Sequence, residues 1–282
     1  MIVFLNGRFL RKEDAAISVD DRGFLFSDGA YEVVRSYRGR LFQLEAHRQR
    51  LLRGLSELRI PCEGMPDLAE VSLRLLQDND LSGSEAVIYY QVTRGAPPVR
   101  AHAFPAPGVL PTVYITASAF KPALEKRQLG IAAITVADTR WSRCDLKTIG
   151  LLANCLAKQQ AYENGADEAI FVRDGVALEG SSSNLFVVED GCVITNPRTN
   201  FILPGITRNI VIECCREGSL ALDEVPIRLD LLKSAEEIFV THTSGEVVPI
   251  INLDGRMVGN GRPGAVTRRL QTAFTKFVAE TS

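Results

Sequence analysis

The chain has 282 residues, 46% of them apolar and 23% charged, an ordinary balance for a globular protein of one large domain or two moderate ones. Its formal net charge of −2 suggests no nucleic-acid or anionic-membrane partner, and no stretch approaches the ~18 apolar residues needed to cross a bilayer. The six cysteines are scattered apart from Cys214-Cys215. They lack metal-ligand spacing, and most read as small core residues in a reducing, cytoplasmic compartment, with no metal expected.

The start, Met1-Ile2-Val3-Phe4-Leu5-Asn6-Gly7-Arg8, lacks a basic run before its short apolar stretch. It reads as a strand entering an Asn-Gly hairpin rather than a signal peptide. Further strands are predicted at 31–37, 86–94 and 112–117, with a turn at Arg38-Gly39. Leu44, Leu51, Leu52, Leu55 and Leu58 follow helical spacing, which leaves His47, Arg48, Arg50 and Arg53 on the other face. A second helix is predicted over 67–79. Residues 119–128 lose periodicity and contain Pro122, marking a linker between a small α+β domain (1–118) and a larger domain (129–282).

Beyond the linker, strand-like runs recur at 131–137, 168–172, 185–188, 193–195 and 238–241, and helices are expected over 151–164, 206–217 and 263–280. Asp174-Gly175, Asp190-Gly191 and Asp254-Gly255 are hairpin signals. Many short strands with few intervening helices predict a mixed, barrel-like sheet. Gly259-Asn260-Gly261-Arg262-Pro263-Gly264 matches G-x-G-x-x-G, but too little chain follows to supply a dinucleotide site's acidic residue. It reads as a glycine-rich loop before the last helix.

Three motifs carry chemistry. Lys147 lies in Trp141-Ser142-Arg143-Cys144-Asp145-Leu146-Lys147-Thr148; then come Glu179-Gly180-Ser181-Ser182-Ser183-Asn184 and Leu203-Pro204-Gly205-Ile206-Thr207-Arg208. An amine, a carboxylate and a Gly-Thr turn opening a helix suit an aldehyde cofactor with a phosphate and a basic ring nitrogen. Lysine condenses with a carbonyl, a carboxylate keeps a pyridine nitrogen protonated, and free amides at a helix start bind phosphate. Cys144 has no base beside it in sequence and reads as a packing residue.

In this order the motifs resemble the fold-type IV pyridoxal-phosphate enzymes, which include D-amino-acid aminotransferases, branched-chain aminotransferases and aminodeoxychorismate lyase. The resemblance runs from Asp20-Asp21-Arg22-Gly23-Phe24 through Arg268. It implies a two-domain α+β fold with pyridoxal 5'-phosphate joined to Lys147 and its ring nitrogen at Glu179. Arg50, Ile206, Thr207 and Thr243 would hold the phosphate, with Leu203 on one ring face and Ser182 near the other. Arg48 and Arg53 compete with Arg50 if the helix alone is considered.

Arg100 and His102 stand two residues apart, so in an extended segment they point the same way. With Tyr31 they resemble the α-carboxylate trap of the D-amino-acid aminotransferases, whose loop reaches over from the neighbouring subunit of a homodimer. The alternative is a mobile loop among Pro97, Pro98, Pro105 and Pro107. Two positions depart from the pattern: Gly150 replaces a common asparagine, and His242 replaces a small hydroxyl residue near the expected phosphate and substrate, where it would narrow the side-chain pocket or add a phosphate contact.

The expectation is transamination between D-amino acids and 2-oxo acids. A branched-chain L-amino-acid aminotransferase is the alternative; aminodeoxychorismate lyase, an (R)-selective amine transaminase and a binder without turnover are further ones. An amine transaminase has no use for a carboxylate trap, and a binder has no need of Lys147.

Overall fold

Strands of alternating burial build the first of two compact units into which the computed structural model, describing residues 1–281, divides. This unit comprises Met1–Lys121 together with Leu146–Gly150. Its elements are β1 (Ile2–Leu5), β2 (Arg8–Arg11), α1 (Arg22–Phe26), β3 (Gly29–Tyr37), β4 (Arg40–Leu41), α2 (Leu44–Glu57), α3 (Leu68–Asp78), β5 (Glu85–Thr93) and β6 (Thr112–Ala119). The strands form one antiparallel sheet in the order β2-β1-β6-β5-β3-β4.

One face of that sheet is the core. Val34, Ile88, Tyr90, Val92 and Ile115 meet Leu51 and Leu55 of α2 and Val71, Leu75 and Leu76 of α3. Burying each such side chain contributes ~1.5–3 kcal/mol, so period-2 strands and 3.6-period helices lock together. Asp67 caps α3, its carboxylate accepting from the amides of Ala69 and Glu70 at 2.8 and 3.0 Å. The intermediate positions, among them Tyr31, Tyr89 and Gln91, lie on the opposite face.

The second unit holds Pro122–Asp145 and Leu151–Thr281. Its elements are α4 (Leu124–Leu129), β7 (Ile131–Ala137), α5 (Leu152–Glu163), β8 (Glu168–Arg173), β9 (Val176–Gly180), β10 (Asn184–Glu189), β11 (Cys192–Thr195), α6 (Ile206–Glu217), β12 (Leu222–Glu224), β13 (Ile227–Arg228), α7 (Leu229–Ser234), β14 (Glu237–His242), β15 (Glu246–Leu253), β16 (Arg256–Met257) and α8 (Ala265–Thr281). Pairing runs β10-β14-β15-β7-β8-β9, and β9 pairs β10 in turn, so six strands close into a ring. β7 runs parallel to both neighbours while the other joints are antiparallel, giving the mixed barrel the strand pattern predicts.

Two local readings change and one strand is added. Residues 124–129, expected without periodic structure, form α4 after Pro122. β15 was unreadable as a strand because it contains Pro249; pairing with β7 starts at Ile250, so the missing proline N–H removes no rung there. His47, which the helical pattern puts with three arginines on the face opposite the leucines, is buried. Among the described residues no helix is long and apolar enough to cross a membrane.

Candidate active site

In the first unit the lysine segment is stitched to β3. Tyr31 N–H donates to Lys147 O at 3.0 Å, Ile149 N–H donates to Gly29 O at 3.1 Å, and Ala30 bridges Thr148. Gly29 is required at this joint, since a Cβ there would collide with Val92 O. The half-buried Lys147 ammonium lies 4.2 Å from the Tyr31 ring centre, a cation–π contact that orients it.

The next residue of β3, Glu32, points to the core face and is 1% exposed. Arg50 grips it with a two-pronged fork, Nε to Oε1 at 2.6 Å and Nη2 to Oε2 at 2.9 Å. His47 Nδ1 lies 2.8 Å from Oε2 and must donate, because an ionised carboxylate only accepts. Burial raises the Glu32 carboxyl, but Arg50 and His47 outweigh it and hold it down to about 2. Burial likewise lowers His47, leaving a neutral ring. Position i+3 on α2 thus places Arg50 beside His47 under one carboxylate. Arg48 is exposed on Glu45, separating two arginines the helical pattern alone leaves equivalent.

In the second unit Glu179 and Asn184 form the rung that joins β9 to β10. Glu179 is 4% exposed. Its Oε1 accepts from Arg140 Nη1 at 2.5 Å, and its Oε2 accepts from Asn184 Nδ2 at 3.1 Å and from the Leu203 amide at 2.9 Å. Arg140 is itself clamped by Asp138, with Nε 2.9 Å from Oδ1. Burial pushes the Glu179 carboxyl up to about 7 against the pull of Arg140 and the Leu203 amide. A group so poised shares a proton readily with a basic ring nitrogen.

Asn184 Nδ2 also donates to Leu203 O at 2.8 Å, so the leucine segment is fixed to the same rung. Gly205 follows at the N-cap of α6; a Cβ there would collide with Asn184 Oδ1. The cap gives no side-chain hydrogen bond, which leaves the Ile206 and Thr207 amides open to an anion. Thr207 is buried and Thr243 half-buried, and Thr241 Oγ1, buried beside Asn184 in the β10–β14 ladder, has no partner. An open helix start and a buried, proton-sharing carboxyl within this unit suit a phosphorylated pyridine.

Of the three serines, Ser182 is exposed. Ser181 and Ser183 are buried on Glu168, the latter donating from Oγ to Oε2 at 2.8 Å. Cys144 is buried with its thiol pushed up to about 11 by burial, a packing residue. His242 accepts at Nδ1 from the Gly245 amide at 3.1 Å, which puts its ring proton on Nε2.

Arg100 and His102 both lie on Phe26 of α1. The Arg100 guanidinium is 4.6 Å from the ring centre and the His102 ring 5.4 Å. They share a side as the i, i+2 spacing predicts, and both are exposed. Among the described residues neither is hydrogen-bonded to Tyr31, whose ring packs on Tyr89 at 5.7 Å and on the Lys147 ammonium.

Arg140, Asp138 and Asn184 escaped the sequence reading. Arg140 immediately precedes the lysine motif, but no local pattern shows that it pairs with Glu179. Glu32 adjoins Tyr31, and its alternation onto the core face was the available signal.

Residues 29–253 match the family model described as Amino-transferase class IV. The chain is 40% identical over 277 residues to a D-alanine aminotransferase of Staphylococcus epidermidis, covering 98% of this chain and 97% of that one. Among solved structures, branched-chain amino acid aminotransferase from Escherichia coli superposes with TM-score 0.87 at 28% identity, over 100% of this chain and 95% of the other. A branched-chain amino acid aminotransferase from T.th., complexed with N-(5'-phosphopyridoxyl)-L-glutamate, gives TM-score 0.86 at 27% identity, with the same coverage.

Proposed function

The chain belongs to the class IV aminotransferases, and from that premise we propose that it exchanges amino groups between D-amino acids and 2-oxo acids with pyridoxal 5'-phosphate. The observation that carries the D-specific reading is the Arg100–His102 pair set side by side on Phe26. It is a ready cation and donor for an α-carboxylate. Identity to the D-alanine enzyme over nearly the whole length supports it. The branched-chain L-aminotransferase reading has the fold neighbours in its favour.

When bound, the cofactor supplies an electron sink for the pair left on the substrate Cα. Lys147 Nζ takes the Cα proton and returns it, and Glu179 holds a proton at the ring nitrogen. Arg50, Ile206, Thr207 and Thr243 bind the phosphate. Leu203 and Ser182 flank the ring, while Tyr31, Arg100 and His102 take the carboxylate. The enzyme works as a homodimer in the cytoplasm: α5 leaves Leu152, Leu156 and Tyr162 exposed, a face suited to a second copy, and the six cysteines are free.

Half-reactions of the purified protein with D- and L-alanine, followed through the cofactor's absorbance, test the reading. Conversion by D-alanine is expected; conversion by L-alanine alone overturns it for the branched-chain alternative.

A further inference from the structure

A loop with four prolines and an exposed tip ordinarily moves. Residues 95–110 are instead fastened at three levels within the first unit. At the base, Gly95 has φ +86 and lies so close to Leu110 O that a Cβ could not fit, while Arg22 N–H donates to Gly95 O at 2.9 Å. In the middle, the buried Arg22 guanidinium donates from Nη1 to Ala101 O at 2.5 Å and to Ala103 O at 3.3 Å, and from Nη2 to His102 O at 3.3 Å. Below the tip, the Phe104 ring lies 3.7 Å from the Arg94 guanidinium.

Arg22 does not float. Its Nε donates to Asp28 Oδ2 at 2.8 Å, and Arg94 grips the same carboxylate at 2.7 and 2.9 Å. Arg94 also binds the carbonyls of Leu58 and Arg59, both at 2.7 Å, tying the cluster to the end of α2. The short helix α1 thus supplies both a backbone clasp, Arg22, and an aromatic shelf, Phe26, on which Arg100 and His102 rest. Only a guanidinium offers enough donors in one plane for a carboxylate and three carbonyls together.

We propose that Arg22, braced by Asp28, is a positioning residue that holds the backbone of residues 101–103 so that Arg100 and His102 meet the substrate carboxylate as a preformed pair. This rests on the carboxylate role of those two residues. Arg22 touches no substrate; it removes the ordering cost that a loose loop would incur at each binding event.

The test uses the holoenzyme with D-alanine as substrate and propionate, a carboxylate without an amine, as competing inhibitor. Arg22→Lys keeps the charge beside Asp28 but loses the spread over three carbonyls; Phe26→Leu removes the shelf, and with it a 4.8 Å stacking contact to the Arg22 guanidinium, but none of the hydrogen bonds of the clasp. Both should raise the D-alanine KM and the propionate Ki about tenfold or more while kcat changes far less, in line with the cost of misplacing a binding group. Amide hydrogen exchange should accelerate within residues 96–109, and Arg100→Ala added to Arg22→Lys should raise KM little further. Wild-type KM and Ki in both variants, with Arg100→Ala raising both constants, would overturn the clasp and leave the carboxylate reading standing. Arg100→Ala without effect on either constant would remove the carboxylate reading, and the clasp with it.

Discussion

Asn184 Nδ2 lies 3.1 Å from Glu179 Oε2, and the same two residues are the rung by which β9 meets β10. One pair therefore closes the six-stranded ring and sets the carboxylate assigned to the cofactor ring. Through Asn184 and the Leu203 amide it also fixes the segment leading into α6. Scaffold and chemistry share these atoms.

Glu179→Gln should keep the fold and bind cofactor, since a side-chain oxygen remains for Arg140. Turnover should fall by ~10²–10⁴, the usual worth of a lost proton or charge contribution. Steady-state kinetics with D-alanine decides the matter; near-native turnover removes Glu179 from the role.

Lys147→Ala should abolish the visible absorbance of the lysine-linked cofactor and lower turnover by at least ~10²–10⁴, as expected for a missing general base. An unchanged visible spectrum would refute the assignment whatever happened to activity.

The Glu32 carboxyl sits near 2, below its ordinary 4.5. The stability it gives is therefore present above pH 4.5 and drains away as pH falls toward 2, a contribution on the order of 3 kcal/mol. Glu32→Gln should be less stable at neutral pH, lose less on acidification across that window, and bind cofactor more weakly because Arg50 loses its fork. Denaturant midpoints measured from pH 7 to pH 2.5 test this. Parallel acid limbs in the two proteins would contradict it.

A Cβ at Gly245 would collide with the His242 imidazole. Gly245→Ala should cost about 1–3 kcal/mol by overpacking against His242 and the Val248 methyl, and His242→Ser should recover only part of that loss in the double variant. Additive losses in a denaturant-based cycle would show that the two positions are independent.

Mixing Lys147→Ala with Arg100→Ala subunits should restore D-alanine activity, because one site of each hybrid dimer combines an intact lysine with an intact loop. No recovery, with hybrids demonstrated by native mass spectrometry, would put lysine and loop of one site in the same subunit.

Much of this was legible in the chain. Helix 206–217 could be bounded to the residue because Pro204-Gly205 precede it and Gly218 ends it, so its open N-terminus was legible as well. Four strands of the first sheet were legible as apolar, β-prone runs, whereas the short β2 and β4 were signalled only by the turns that precede them. Hidden were the pairings between distant positions: Arg140 with Glu179, Arg22 with the carbonyls of 101–103, and β3 with the lysine segment. Each depends on tertiary closure and leaves no periodic trace. His47 looked polar by residue type, yet it is buried because Glu32 offers it a partner.

Residues 146–150 belong to the first unit although the chain on either side of them belongs to the second. The backbone accordingly changes unit after Lys121, after Asp145 and after Gly150. No single cut yields two whole units. A fragment ending at 121 carries Tyr31, Glu32, His47 and Arg50 but not Lys147; one ending at 150 gains that lysine but takes β7 out of the barrel. A cut at 121 therefore parts Lys147 from the rest of its own unit, and a cut at 150 parts β7 from its barrel neighbours.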